Sequence, residues 1–348
     1  MHTYLMEMLA CPDCHGDLKW SIAERCGSHI EVAEARCSAC SAVYPIREGI
    51  GSFLTSDLPR DDLWEQTESH LAKHLREHPE VERQLLAVPL EALAPADQFF
   101  RALILEERGE YTEAKIAADM ARSGVYTSEY LACSDRQIEY ALERLSVSDG
   151  PIVDLASGMG HLVERMARRL NRPVVATDFS PRVLRRARRR LEFFGLYDRV
   201  SLLAFDARRT PFKDGAVKTL TTYQGLPNVR EPGNLLRELR RIVSGFFLAI
   251  SIFFPEDDQA NAAAIGEMGL SELLFRRPAL ESFARAGWQV EVVNSCFGKA
   301  RPTPSGVVLE GAGIDALPVA ETVLEWCVVL ATPDNCCAST YYAILNLS

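Results

Sequence analysis

Apolar and polar residues follow two different rhythms along this chain, and the change falls near residue 150. From about 58 to 146 the period is helical. Asp61-Asp62-Leu63-Trp64 opens a polar helix expected to stop near Pro79, since proline lacks a backbone donor and clashes with the preceding turn. Pro95-Ala96-Asp97 begins a second helix with Phe99, Phe100, Leu103 and Ile104 on one face. A third, near Ser134 to Leu145, carries Ile138, Ala141, Leu142 and Leu145.

Beyond Pro151 the order becomes strand, helix, strand. Ile152–Ala156, Val174–Asp178 and Val200–Phe205 are short, nearly continuous apolar runs, the pattern of parallel strands covered on both faces. Between them, Met159–Leu170 and Pro181–Phe194 repeat at helical spacing. On the second of these, Val183, Leu184, Ala187, Leu191 and Phe194 should face a sheet, with Arg182, Arg185, Arg186, Arg188, Arg189 and Arg190 largely fringing it. The alternation continues through a strand at Val217–Tyr223, a helix at Gly233–Val243 and a strand at Phe246–Phe254. A helix at Ser271–Ala286 precedes strands at Trp288–Phe297 and Val323–Leu330, and residues after Thr332 read as an unstructured tail. Seven strands in this order predict an α/β fold with a doubly wound, mostly parallel sheet.

A length of 348 residues suggests about two domains. No run approaches the roughly 18 apolar residues of a membrane helix. The start, Met1 to Glu7, lacks the basic flank and apolar stretch of a signal peptide, so a cytoplasmic protein without membrane contact is expected. Charge is unevenly spread: Pro151 to Phe254 holds 19 Lys+Arg against 9 Asp+Glu, while the remainder holds 19 against 39. A basic stretch beside acidic flanks could attract an anionic substrate, but pairing between the two parts is the favoured reading.

Candidate chemistry begins at Val153-Asp154-Leu155-Ala156-Ser157-Gly158-Met159-Gly160-His161, the first strand-to-helix turn of the α/β region. Gly158 and Gly160 let a ligand's polar end approach the backbone, and the next helix offers unpaired N–H groups. Asp178 ends the second strand about 20 residues beyond the loop, where a carboxylate can hold ribose hydroxyls. Asp206 ends the third, within reach of an adenine amino group. Three sites at successive carboxyl ends of parallel strands converge on one crevice. Met159 and His161 read as turn residues.

These motifs resemble the Rossmann-like superfamily of S-adenosylmethionine-dependent methyltransferases over about residues 120 to 330. The loop resembles that family's acid-x-Gly-x-Gly-x-Gly motif. Thr210-Pro211-Phe212, Tyr223 to Val229 and Leu236 to Val243 are similar to its later segments. The resemblance assigns cofactor binding to Asp154, Ala156, Ser157, Gly158, Gly160, Asp178, Phe179, Asp206, Ala207, Tyr223 and Gln224. It also places Tyr223, Gln224 and Asn228 near the transferred methyl group, and no general base is identified. Ala156 stands where the family has its first glycine, and Lys218 where an acid is common.

Ten cysteines argue against a disulfide framework in a cytoplasmic chain. Cys11-Pro12-Asp13-Cys14 and Cys37-Ser38-Ala39-Cys40 are paired thiolates suited to tetrahedral zinc, and four sulfurs leave no open position. The expected site is structural. With Leu9-Ala10 before it and Tyr44 to Ile50 after it, this segment resembles the small zinc-binding activator family of tRNA and protein methyltransferases. Cys26, Cys133, Cys296, Cys327, Cys336 and Cys337 lack such spacing. His70, His74 and His78 recur every four residues but lack a second ligand cluster, and read as a solvated face.

The expected organisation is a zinc-ribbon-like domain over 1–55, a helical lid over 56–146, a catalytic domain over 147–332 and a tail over 333–348. Methyl transfer to a small molecule, under a roof formed by 58–146 and the insertion near 255–320, is the first expectation. Methylation of RNA, with the zinc domain and the arginines near 182–190 holding phosphates, is the alternative.

Overall fold

The computed structural model describes residues 1–55, 57, 71 and 73–334. Its strands are β1 (Leu18–Cys26), β2 (His29–Cys37), β3 (Val43–Arg47), β4 (Ile50–Ser52), β5 (Ile152–Asp154) and β6 (Val174–Asp178). They continue as β7 (Val200–Ala204), β8 (Val217–Tyr223), β9 (Val243–Phe253), β10 (Trp288–Ala300) and β11 (Thr322–Pro333). Among the described residues all eleven join one sheet in the order β1-β2-β3-β4-β7-β6-β5-β8-β9-β11-β10.

The seven strands expected after residue 150 are present and follow the doubly wound order, with β10 and β11 closing it as an antiparallel hairpin. The strand count is larger than seven because the N-terminal meander does not stand apart. Its last strand pairs in parallel with β7, Ile50 to Ser52 lying against Leu202 to Ala204. Phe53 N–H continues the ladder to the Ala204 carbonyl at 2.7 Å. A second seam joins Ala10 N–H to Pro211 O at 2.7 Å and Lys213 N–H to Met8 O at 2.9 Å.

The helices are α1 (Leu5–Met8), α2 (Pro79–Ala87), α3 (Pro95–Glu107), α4 (Tyr111–Val125), α5 (Ser128–Ser146), α6 (His161–Arg169) and α7 (Pro181–Phe193). Then come α8 (Pro232–Ile242), α9 (Gln259–Glu267), α10 (Ser271–Leu274) and α11 (Arg276–Arg285). The polar helix expected from Asp61 lies largely outside the described residues, as does the tail beyond Asp334. Where one helix was expected from Ser271 to Ala286, there are two. Pro278 explains the break, because its ring would strike the carbonyl of Leu274 four residues back.

Side-chain alternation splits the core between the two sheet faces. On one face Val153, Val175, Leu203 and Phe247 share a cluster with Leu5, Ile30 and Phe53 of the N-terminal segment. On the other, Ile152, Val174, Leu202 and Leu248 pack under α5, α6 and α7. A third cluster joins Leu85, Phe100, Leu103 and Ile104 to Leu309, a residue of the insertion between β10 and β11. That insertion is pinned by Asp97, fully buried near the start of α3, whose carboxylate accepts the N–H groups of Val307, Val308 and Leu309 at 2.9, 3.0 and 3.1 Å.

Candidate functional site

The order β7-β6-β5-β8 sets the ends of four parallel strands side by side, and the direction of winding reverses between β5 and β8. A crevice opens at such a reversal. The loop after β5 turns sharply, with Ala156 at φ 51°, Gly158 at 50° and Gly160 at 73°, all left-handed. Two of these are glycines, which adopt that region freely. Ala156 does so under strain of about 1 kcal/mol. Across the gap, Gly225 makes room for it: a Cβ there would lie 2.8 Å from the Ala156 Cβ and 2.5 Å from Thr222 Oγ1.

Gly158 and Asp178 meet directly. The Gly158 N–H donates to Asp178 Oδ2 at 2.9 Å, and Ser180 N–H donates to Oδ1 at 3.0 Å. Phe205 N–H donates to the Asp178 carbonyl at 3.1 Å, which ties the end of β7 to that of β6. Ser157 stitches the loop to β6 by accepting from Thr177 N–H at 3.1 Å and donating to Asp154 O at 3.0 Å. Phe179 and Ala207 follow Asp178 and Asp206 in the chain, Tyr223 ends β8, and Gln224 comes just after it.

Two expected ligand residues have different surroundings from those the sequence suggests. Asp154 is 1% exposed and lies beneath the loop, accepting from Thr221 Oγ1 at 2.9 Å. Burial pushes its carboxyl up to about 7, against the pull of Ser157 and Thr221. Its place is under the site, supporting it. Asp206 is gripped by Arg208, whose Nε donates to Oδ1 at 3.0 Å and Nη2 to Oδ2 at 2.7 Å. Arg208 Nη1 also reaches Glu231 at 2.7 Å.

The left-handed glycine turn, the N–H groups opening α6 and the Asp178 carboxylate fit the donor set of an adenosyl cofactor. At the N-terminal segment, the sulfurs of Cys11, Cys14, Cys37 and Cys40 all lie within 4.8 Å of one another. Cys11 and Cys40 are 3.6 Å apart, and Cys14 and Cys37 3.4 Å. Zinc–thiolate bonds of about 2.3 Å in a tetrahedron put sulfurs about 3.8 Å apart, so the set fits zinc. The N–H groups of Ala39 and Cys40 point at Cys37 Sγ at 3.3 and 3.4 Å. His74 and His78 are exposed, with rings 4.5 Å apart, and join no ligand cluster among the described residues; His70 lies outside them.

The arginines of α7 do not form an open basic strip. Arg188 pairs with Glu31 at 2.8 Å and Arg185 with Glu48 at 3.1 Å, both acids of the N-terminal segment. Arg186 is 8% exposed rather than fringing, and it shares Glu106 of α3 with Arg190 at 3.8 and 3.3 Å. The cleft of about 380 Å³ beside Arg208 is lined by four arginines, but Arg208, Arg209 and Arg241 there already hold Asp206, Glu231, Asp57, Glu238 and Asp214. Arg185, Arg186, Arg188, Arg190 and Arg209 thus pair with acids outside the basic stretch, whereas Arg208 and Arg241 pair within it.

Sequence reasoning passed over one group, spaced four residues apart: Tyr126 at the end of α4, and Tyr130 and Ser134 on one face of the first turns of α5. Ser134 Oγ lies 2.7 Å from the Tyr223 hydroxyl, so the repeat runs to the end of β8. That spacing was the available signal.

Residues 152–244 match a family model described as a methyltransferase domain, and residues 2–49 match one described as Trm112p-like protein. The chain is similar to methyltransferase GfsG of Streptomyces halstedii, 29% identical over 184 residues, covering 50% of this chain and 66% of that protein. It is similar to the demethylmenaquinone methyltransferase of Thermus thermophilus, 35% identical over 121 residues, covering 34% of this chain and 53% of that protein. The chain thus spans between half and two thirds of these relatives' length. Among solved structures, geranyl diphosphate C-methyltransferase from Streptomyces coelicolor A3(2) is 16% identical, covering 64% of this chain and 80% of that one with a TM-score of 0.44. No helix among the described residues is long and apolar enough to cross a membrane.

Proposed function

With residues 152–244 a methyltransferase domain and residues 2–49 a Trm112p-like zinc domain, we propose that this chain transfers the methyl group of S-adenosylmethionine to a small-molecule acceptor. The reading divides the chain into a zinc-binding domain (1–55), a helical lid (56–146), a catalytic domain (147–332) and a tail (333–348).

When bound, S-adenosylmethionine supplies an electrophilic methyl group on sulfur. Asp178 accepts hydrogen bonds from the ribose, and its grip on Gly158 N–H fixes the loop that the methionine part crosses. Asp206 and Ala207 meet the adenine, with Phe179 beside it, and Arg208 sets the Asp206 carboxylate in place. Ala156, Ser157, Gly158 and Gly160 give the close backbone approach, while Asp154 supports that loop from below. Tyr223 and Gln224 border the methyl group. The chain's contribution to rate is positioning and exclusion of water. Zinc, held by Cys11, Cys14, Cys37 and Cys40, is structural because no ligand position stays open.

The observation that carries the small-molecule reading is the roof. The insertion between β10 and β11 is held by Asp97 and packs through Leu309 on Phe100, Leu103 and Ile104 of α3, so that insertion and helical segment form one covering layer. Four of the six arginines that could hold a phosphate backbone, Arg185, Arg186, Arg188 and Arg190, are paired with acids. The relatives named as demethylmenaquinone methyltransferases support an acceptor of that size. The Trm112p-like domain is the one observation favouring RNA.

The test combines two measurements. Calorimetry should show S-adenosylhomocysteine binding that Asp178→Ala abolishes. Incubation with methyl-labelled cofactor and fractionated cell extract should label low-molecular-weight compounds, with little dependence on salt. Label in RNA, with affinity falling steeply as salt rises, would overturn the acceptor assignment. Unchanged cofactor affinity in Asp178→Ala would overturn the site.

A further inference from the structure

An aromatic group links the start of α5 to the end of β8. The rings of Tyr126 and Tyr130 stack at 4.6 Å and 7°. Tyr130 stands edge-on to the fully buried Trp326 at 4.8 Å and 86°, and Trp326 lies 6.5 Å from Tyr223. Tyr126, Tyr130 and Tyr223 are half-buried. The group ends where β8 ends, beside Gln224.

The charges around it are mostly committed. Arg122 holds Asp135 at 3.2 Å and touches Ser134 at 3.5 Å. The exception is Asp315, in the insertion between β10 and β11. Its Oδ2 accepts from the Tyr126 hydroxyl at 2.8 Å. Its Oδ1 has no hydrogen bond and its carboxylate no ion pair among the described residues. Asp315 N–H donates to Thr303 Oγ1 at 3.1 Å, and the insertion is anchored on Asp97, so the carboxylate is presented on a fixed support.

Resting on the methyltransferase reading, we propose that Asp315 is the proton acceptor for methyl transfer and that the acceptor molecule is a hydroxylated aromatic compound. A flat ring lies against the tyrosine surface, where offset or edge contacts stabilise it. Its hydroxyl meets Asp315 Oδ1, and Tyr126 is a positioning residue that holds Oδ2. The hydroxyl proton passes to Asp315. The electron pair so freed on the acceptor forms the new bond to the methyl carbon, and the carbon–sulfur bond breaks with its pair on sulfur. The methylated acceptor and protonated Asp315 result. Burial raises Tyr126, Tyr130 and Tyr223, which therefore stay protonated as donors.

The experiment uses the full chain saturated with S-adenosylhomocysteine and two probes, 2-naphthol and 2-methoxynaphthalene. They share a ring system, but only the first has a proton to give. Calorimetry should show 2-naphthol bound about tenfold or more tightly than its ether, the worth of a hydrogen bond to a charged group. Asp315→Asn should erase that preference, Tyr126→Phe should weaken it, and Asp315→Glu should restore part of it. S-adenosylhomocysteine affinity should stay within about twofold throughout. A preference that survives Asp315→Asn, or a wild-type complex that does not discriminate the probes, overturns the proposal. Failure to bind S-adenosylhomocysteine at all sinks the methyltransferase reading instead.

Discussion

A carboxylic acid sealed under a backbone loop is unusual enough to leave a mark on stability. Asp154 titrates at about 7 against an ordinary value of 3.8, so the folded chain holds that proton more tightly than the unfolded one. The associated stability is complete below about pH 4 and is lost as pH rises to about 7, roughly 4 kcal/mol in all. Asp154→Asn should flatten that decline. Urea denaturation at about pH 5 and about pH 8 checks it, the variant losing less between the two. A second residue-scale prediction concerns Gly225. Alanine there would press on Ala156 and Thr222, part the loops after β5 and β8, and reduce S-adenosylhomocysteine affinity about tenfold or more, at a misplacement of about 1 Å. Calorimetry reads the loss. Gly158, Gly160 and Asp178 were legible in the sequence because a left-handed turn and an acid at a strand end each leave a residue-type signature. The burial of Asp154 was not legible, since the same letter serves for an acid above a loop or below it. Nor was the Arg208 fork on Asp206, which depends on the local turn.

Among the elements, α3 and α7 are held together by Glu106, 7% exposed between Arg186 and Arg190. Removing one partner strands buried charge, so Glu106→Ala should cost about 3–5 kcal/mol, visible as a lowered thermal midpoint. Asp97 does the same for the insertion. Asp97→Ala should leave three N–H groups without an acceptor, costing roughly 1–3 kcal/mol. Hydrogen exchange should quicken at Val307, Val308 and Leu309 before it quickens in the sheet. Strands β5 to β8 and their helices were legible because both faces are covered and the apolar runs are dense. Helix α4 was not, because its buried face is Ala114, Ala117, Ala121 and Val125, small side chains that give little hydrophobic contrast. Hairpin β1–β2 was missed for a related reason, β1 being exposed along most of its length.

At the scale of the molecule, the zinc-ligating segment and the catalytic sheet are one hydrogen-bonded array. Stripping zinc with a chelator should loosen the meander that carries β4 and expose the edge of β7, whose far end bears Asp206. The thermal midpoint should fall and S-adenosylhomocysteine affinity with it; a metal-free chain that binds as tightly as the zinc-loaded one would refute this coupling. The sequence indicated two units but not the ladder between them, because parallel pairing of a three-residue strand leaves no local pattern. Covalent linkage has a further effect. Both strands of that ladder are supplied by the same polypeptide, so the association of the two units is unimolecular. Its equilibrium is indifferent to dilution, and their stoichiometry is fixed at synthesis.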